Sequence, residues 1–570
     1  MRRSRIIVAA AAAALAIPAL AISTAGATPQ GANQQSTQGA STAYVVLTEA
    51  GGTAQALAEQ LQASGATVTS VNQAIGLLTV TSTDTAFASR TRGLAGVDGV
   101  AKDHSIGAAP KKTVRDAVEN EARLSGGANN APTSKPVKAG DPLDHLLWGM
   151  DMINAPEAHA IERGDHRVTV GILDTGVDGS HPDLHSNFSK KLSRNFTTDM
   201  TDVDGPCEFA NCVDPASWDD NGHGTHTAGT IAAALNGMGL SGVAPKATLV
   251  NIRGAQDSGY FFLGPVTNAL TYAGDVGLDV VNMSFYLDPW LYNCAGGAPE
   301  DSAASGAEQD VILEGMTRAL NYANAHNVTL VGSLGNNHED LANPRHDHSS
   351  PDYGADPYER TIDNDTCRVL PIEGPHVLGV SSLGPSGKKA DYSNYTTDLT
   401  SGEIEFSAPG GWFRDGFGTP SYRTNENLIL STAPLNVMQA DGYVDESGNI
   451  TPAGVTAGVQ KDCNDEGECG YYQYLQGTSM ASPHAAGVAA LAVSAHGYRD
   501  TTPKRGLTME PAAVAALMAA TAIDHACPAG GVQSYTQEGR SAEFTATCVG
   551  TPEFNGFYGA GIVNALGVVQ

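Results

Sequence analysis

Cations are scarce in this chain. Its 32 lysines and arginines face 61 aspartates and glutamates, for a formal charge of −29. A surface of that sign repels polyanions, so nucleic acid and anionic membrane are excluded as partners. The eight cysteines contain no C-x-x-C pair, which removes the usual sequence signal for a zinc ribbon or a thioredoxin-type centre. Beyond Ile22 no segment is long and apolar enough to span a bilayer, so a stable membrane anchor is not expected. What is present is a chain of 570 residues, with 41% hydrophobic residues and 65 glycines. That length leaves room for about two to four domains, and the composition suits a globular protein rich in tight turns.

The N-terminus points to a compartment. MRRSR is a basic n-region, IIVAAAAAALAIPALAI is an apolar stretch broken by Pro18, and Ala25-Gly26-Ala27 is a small-x-small cleavage pattern. Residues 1–27 therefore read as a signal peptide, and the protein as secreted and extracellular. An oxidising destination makes the cysteines candidates for disulfides. Cys207 and Cys212, Cys463 and Cys469, and Cys527 and Cys548 each bracket a local segment. These pairs, together with Cys294 and Cys367, are the expected bridges, one of roughly a hundred arrangements open to eight cysteines.

Residues 28–42 are mostly Gln, Ser, Thr, Gly and Ala and read as a flexible tail. AYVVLTE (43–49) predicts a strand, GGTAQALAEQLQASG a helix, and ATVTSVNQAIGLLTVTST two strands about a turn. Residues 84–106 predict a helix and a last strand. The βαββαβ order is that of a small α+β ferredoxin-like unit. Residues 111–142 lack aromatics and are rich in Lys, Asn, Gly and Pro, a linker composition. From 143 onward, apolar runs (VTVGIL, ATLVNIRG, LDVVNMSF, VTLVGSLG, HVLGVSSL) alternate with helical segments. This is the pattern of an α/β domain: an open, mainly parallel sheet with helices on both faces and working residues at the C-terminal ends of its strands.

Three positions then stand out. Asp174 directly follows the run VGIL; a charge that ends a buried strand needs hydrogen bonds, and a turn-capping aspartate is the plain alternative. His223 lies between two glycines in NGHGTHTAGT, with room to meet both a carboxylate and a substrate. His226, one turn further on, is expected to face the core. Ser479 opens the helix of QGTSMASPHAAG, where N-terminal N–H groups favour developing negative charge. Ser482, next to Pro483, is structural. GTSMA lacks the closing glycine of the G-x-S-x-G elbow of α/β-hydrolases, and the chain order Asp, His, Ser is that of subtilisin.

VGILDTGVDGSHPDL, NGHGTHTAGTIA and GTSMASPHAAG resemble, in that order, the three motif blocks of the subtilisin-like serine proteases, the subtilases. SGVAP, VVNMSF, LGNN and YGAGIVNA extend the resemblance from about residue 143 to the end. The resemblance implies a subtilisin-like peptidase domain over 143–570 that hydrolyses protein or peptide substrates through Ser479. His223 is then the base, Asp174 its orienting partner, and Asn336 takes the place of the oxyanion-hole asparagine. No cofactor is implied for catalysis, but a structural calcium is, near Asp183 and Asn236. The substrate groove would run along Ser284, Phe285, Tyr286 and Gly335. Tyr286 departs from the Ser-Leu-Gly usual at that strand, which leaves the cleavage preference open. The βαββαβ unit resembles subtilase propeptides, so 28–110 is expected to be an intramolecular inhibitor, with a maturation cut in the linker 111–142. The acidic insert TDVDGPCEFANCVDPASWDD (201–220) reads as a solvated loop, with binding of another ion as the alternative.

A monomeric, self-processing endopeptidase is the expectation. An exopeptidase of the same fold would need a groove blocked at one end, which only the aromatic insert after Phe285 hints at. A non-catalytic secreted binding protein would be expected to have lost one of Asp174, His223, Ser479 and Asn336.

Overall fold

The computed structural model describes residues 41–102, 115–125, 140–201, 203–353, 355–500 and 506–570. The signal peptide and tail expected over 1–40, and much of the linker, lie outside the described residues.

The first six elements come in the expected order: β1 (Thr42–Thr48), α1 (Ala54–Ala63), β2 (Thr67–Asn72), β3 (Leu77–Ser82), α2 (Phe87–Arg92) and β4 (Val97–Lys102). They form a sheet of order β2-β3-β1-β4 in which all neighbours are antiparallel. The two-residue period of a strand sorts its side chains to opposite faces. Tyr44, Val46, Leu78, Val80 and Val100 pack with Leu57, Leu61 and Phe87 of the unit's own helices. Val45, Leu47, Leu77 and Ala101 turn the other way, into a core shared with Val311, Ile312 and Met316 of the long helix Ala303–Ala325. Polar contacts fix the register of this docking. Arg318 on that helix donates to the carbonyls of Thr48 and Ile75 and pairs with Asp98, while Asn72 donates to Asn268 and Thr271.

The five apolar runs after residue 143 become five strands of one seven-stranded sheet. β5 (Thr169–Leu173), β6 (Arg194–Asn195), β7 (Thr248–Arg253) and β8 (Val280–Met283) are joined by Thr329–Ser333, Val377–Leu383 and Phe406–Pro409. From edge to edge the order is 406–409, 377–383, 329–333, β8, β5, β7, β6, and all neighbours are parallel. β5, first in sequence, lies inside the sheet between β7 and β8. The strand order reverses there, and in such sheets the crevice opens beyond the C-terminal end of that strand.

Beside the sheet runs the helix Thr478–His496, buried on every side from Thr478 to Val493, as a helix of small apolar residues must be. Pro483 brings no N–H, so the carbonyl of Ser479 lacks its helical donor. The Ser284 hydroxyl donates to it instead, at 3.0 Å, which ties the start of this helix to the segment after β8. The four bridges Cys207–Cys212, Cys294–Cys367, Cys463–Cys469 and Cys527–Cys548 are those expected from the sequence.

One expectation fails locally. Within the stretch read as linker, Arg115–Glu119 and Glu121–Ser125 are two short helices. Ala122 is buried in the main core and Glu121 is held by ion pairs. Low aromatic content marks a segment that cannot form its own core; it does not prevent the segment from packing on one already formed.

Candidate active site

Asp174 follows the last residue of β5 and is fully buried. Its Oδ1 accepts from the Thr175 N–H at 2.8 Å and lies 2.7 Å from His223 Nδ1. The Thr227 hydroxyl is 3.4 Å from Oδ2. His223 begins the helix His223–Ala232, and the glycine after it makes the approach possible. A Cβ on Gly224 would stand 2.1 Å from the Gly176 carbonyl oxygen and 3.0 Å from Asp174 Cβ. The helix start reaches the strand end only because that side chain is missing.

Ser479 is the second residue of its helix, and its hydroxyl donates to the Ser284 carbonyl at 3.3 Å. His223 Nε2 faces Glu119 Oε1 at 3.5 Å. The structure thus joins Asp174 to His223 and sets Ser479 in the same cavity, without a hydrogen bond between Ser479 and His223. That cavity, of about 160 Å³, is lined by Glu119, His223, Tyr286, Asn336 and Ser479 among others. Asn336 has its Oδ1 occupied by the Thr478 N–H and hydroxyl, at 2.9 and 2.8 Å, so its Nδ2 group is the part left to serve the cavity.

Burial opposes a charged imidazole at His223. The adjacent carboxylates of Asp174 and Glu119 outweigh it and hold the residue well above the ordinary histidine value. His226 is the contrast: it is buried against the carbonyls of Ile429 and Gln473, and burial lowers it to about 3. It is the core residue that its position on the helix predicts. Ser482 likewise turns inward, donating to Asn282 Oδ1 at 2.6 Å.

Of the expected groove residues, Ser284 is buried against the Ser479 helix, and Phe285 stacks on Phe261 with ring centroids 3.9 Å apart. Tyr286 donates its hydroxyl to Asp352 at 2.9 Å. Gly335 adopts φ +106°, and a Cβ there would stand 2.5 Å from Asn394 Nδ2, so only glycine fits.

Asp183 and Asn236 are brought together, with Asn236 Nδ2 3.2 Å from Asp183 Oδ1. Asp183 also accepts from Leu240 N–H and the Tyr472 hydroxyl. Asp141, missed in the sequence, accepts from the N–H groups of Asn236 and Gly237. Burial is the main cause that raises Asp183 to about 7 and Asp141 to about 6. The donor set is all oxygen and short of positive charge, which fits a hard cation; Asn236 would have to turn its carbonyl inward to join it.

The sequence also missed Glu119, Glu121, Gln476 and Asp219. Asp219 is buried and accepts from Thr175, Gly222 and both polar groups of Thr225. It braces the start of the His223 helix, and an acidic residue just ahead of a helix is a signal that could have found it.

The subtilase family model matches residues 165–561. The chain belongs to the subtilase family. It is 28% identical to fervidolysin of Fervidobacterium pennivorans over 361 residues, 62% of this chain and 38% of that protein. To thermitase of Thermoactinomyces vulgaris it is 26% identical over 348 residues, 61% of this chain and 82% of thermitase. This subtilase therefore matches well under half the length of fervidolysin and most of the length of thermitase. Among solved structures, the epidermin leader peptide processing serine protease of Staphylococcus aureus superposes with a TM-score of 0.59 at 18% identity, covering 93% of this chain and 98% of that one. The crystal structure of fervidolysin gives 0.51 at 20% identity, covering 94% and 62%. Both are likenesses of fold.

Proposed function

We propose that this subtilase is a secreted serine endopeptidase that hydrolyses peptide bonds in proteins through an acyl-enzyme on Ser479 and is made as a self-processing zymogen. The observation that carries the reading is the 2.7 Å contact between buried Asp174 and His223 Nδ1, in the cavity that also holds Ser479 and Asn336. Asp174 fixes the tautomer in which Nε2 is free to act as base. His223 takes the Ser479 proton as Oγ attacks the peptide carbonyl, then protonates the leaving amine; water releases the acyl group by the reverse route. The oxyanion is met by Asn336 Nδ2 and the Ser479 N–H at the helix start. Asn336→Ala should lower kcat by about 10²–10³-fold with KM little changed, the cost of one oxyanion donor.

The zymogen reading is supported by residues 115–125. Gln476, three residues before Ser479, donates to the Val118 carbonyl at 2.9 Å and to Glu121 at 3.1 Å. Glu121 also pairs with Arg414 and Arg540, and Arg123 with Asp441. These anchors place Glu119 on His223 Nε2, the atom that must accept the serine proton. The βαββαβ unit is the propeptide of this reading, and the cut that frees it falls upstream of 143. Calcium at Asp183, Asp141 and Asn236 would serve to join the loop 236–240 to the last residues of the linker, just ahead of the peptidase domain, and takes no part in the chemistry.

Mass spectrometry of the secreted protein before and after a fluorophosphonate tests the reading. A species lacking the first hundred or so residues, with the probe on the peptide containing Ser479, is the expected result. An unlabelled chain that stays unlabelled after proteolytic removal of residues upstream of 143 would remove the peptidase assignment.

A further inference from the structure

Glu121 draws three donors onto one carboxylate close to Ser479. Arg414 Nε stands at 2.7 Å, Arg540 Nη2 at 3.0 Å and Gln476 Nε2 at 3.1 Å. Each of these donors is also fixed by a second bond that does not involve residues 115–125. Gln476 is fully buried, and its Oε1 accepts from the Phe413 N–H at 2.6 Å. The amide therefore cannot turn, and its Nε2 remains a donor. Arg414 Nη1 donates to the Glu538 carbonyl at 2.9 Å, and Arg540 Nε to Asp391 Oδ2 at 2.6 Å. When the segment leaves, the three groups stay aimed at the point where the Glu121 carboxylate was.

That point is positive in a chain of charge −29. Asp391 offsets Arg540. Among the described residues, Arg414 has no carboxylate except Glu121 within ion-pair distance. Two guanidinium groups and an amide N–H, held in place beforehand, suit a carboxylate and nothing else that a peptide carries. Donors left without an acceptor in so enclosed a place cost free energy, so the emptied site favours a replacement.

Its place follows from the sheet. Ser284 comes after β8, Asn336 after its neighbour Thr329–Ser333, Asp391 after Val377–Leu383, and Arg414 after the edge strand Phe406–Pro409. The carboxylate site thus lies on the far side of Asn336 from Ser284, Phe285 and Tyr286. It also lies outside the cavity, since none of Gln476, Arg414 and Arg540 lines it. A substrate whose acyl part runs along 284–286 carries its leaving part toward Gln476.

On the strength of the peptidase reading, we propose that Gln476, Arg414 and Arg540 form a subsite for a carboxylate on the leaving side of the substrate, filled by Glu121 until the segment is removed. The favoured substrate is an acidic peptide, with an Asp or Glu side chain or a terminal carboxylate within the first few residues after the scissile bond. Glu119, which faces His223 Nε2, stands two positions before Glu121 in the chain and sets that spacing.

The test uses the secreted, processed enzyme and acetylated peptides that differ only in carrying Glu or Gln at successive leaving-side positions. Glu should raise kcat/KM at least about tenfold over Gln at one position, the effect of one charge-assisted hydrogen bond. A side-chain carboxylate keeps this advantage on an amidated peptide, whereas a terminal one needs the free acid. Arg414→Gln should remove most of the advantage, and Arg414→Glu should turn the preference toward Lys at the same position, a reversal that a purely structural role does not produce. The parent series decides the matter even where a variant fails to fold. Equal rates for Glu and Gln at every position, with amidated and free ends alike, in an enzyme that takes a fluorophosphonate on Ser479, would overturn the subsite alone. An enzyme that takes no label and cleaves no peptide would overturn the peptidase reading, and the subsite with it.

Discussion

Asp174→Asn should lower kcat by about 10⁴-fold while leaving the fold and substrate binding nearly unchanged. The expectation follows from where the carboxylate sits. It is fully buried, and its Oδ1 already serves two donors, the Thr175 N–H and His223 Nδ1. An asparagine is isosteric and keeps one acceptor, so packing survives. Its amide group can donate to Nδ1, and that stabilises the tautomer carrying its proton on Nε2, the nitrogen that must accept from Ser479. Asp174 also helps to hold the histidine well above its ordinary value; in the variant that value should fall. The measurement is kcat and KM on a blocked peptide, after the parent enzyme has removed the propeptide in trans, together with the titration of His223 by NMR. A variant that keeps more than about a tenth of the parent kcat would take Asp174 out of the mechanism.

How much of this was legible beforehand depends on which forces write themselves into local sequence. The parallel sheet was, because strands buried on both faces must be continuous apolar runs, and Asp174 is conspicuous as the charge that ends one. His223 and Ser479 sit at helix starts flagged by glycine, and Gly224 shows why the small residue is required there. The N-terminal unit was legible because alternation in β1 and β3 fits two buried faces. Asn336 was not: an asparagine beside a glycine in a loop carries no local signal, and only the resemblance singled it out. Composition misled over 115–125, and over 201–220, a largely solvated loop, it gave no sign that Asp214 and Asp219 are buried. In both places polar residues are buried because distant partners meet them: Arg414 and Arg540 for Glu121, Arg253 for Asp214. Sequence patterning reports whether a segment can form a core by itself. It is silent on ion pairs made across 300 or 400 residues of chain, such as Glu121 with Arg540 at a separation of 419.

Glu121→Ala should raise the activity of the uncut chain on a small blocked peptide by at least roughly thirty-fold. Glu121 is nearly buried and accepts from Arg414 Nε at 2.7 Å, Arg540 Nη2 at 3.0 Å and Gln476 Nε2 at 3.1 Å. Removing one member of a buried pair typically costs about 3–5 kcal/mol. The two arginines are partly exposed and regain water, so about 2 kcal/mol is the safer figure, and that is the thirty-fold. The loss falls on the segment, since the peptidase core does not need Glu121 to fold. Glu119→Gln separates anchoring from blockade, because it leaves Glu121 in place and removes only the charge facing His223. The pH dependence carries a definite sign. The folded-state value of His223 lies above 6.5, so its attraction to Glu119 is complete below that pH. The attraction is lost as pH rises through the raised value. The uncut parent should therefore gain activity toward alkaline pH more steeply than Glu119→Gln, whose segment has no such attraction to lose. Parallel profiles for the two, with no gain from Glu121→Ala, would mean that residues 115–125 rest on the cleft without restraining it.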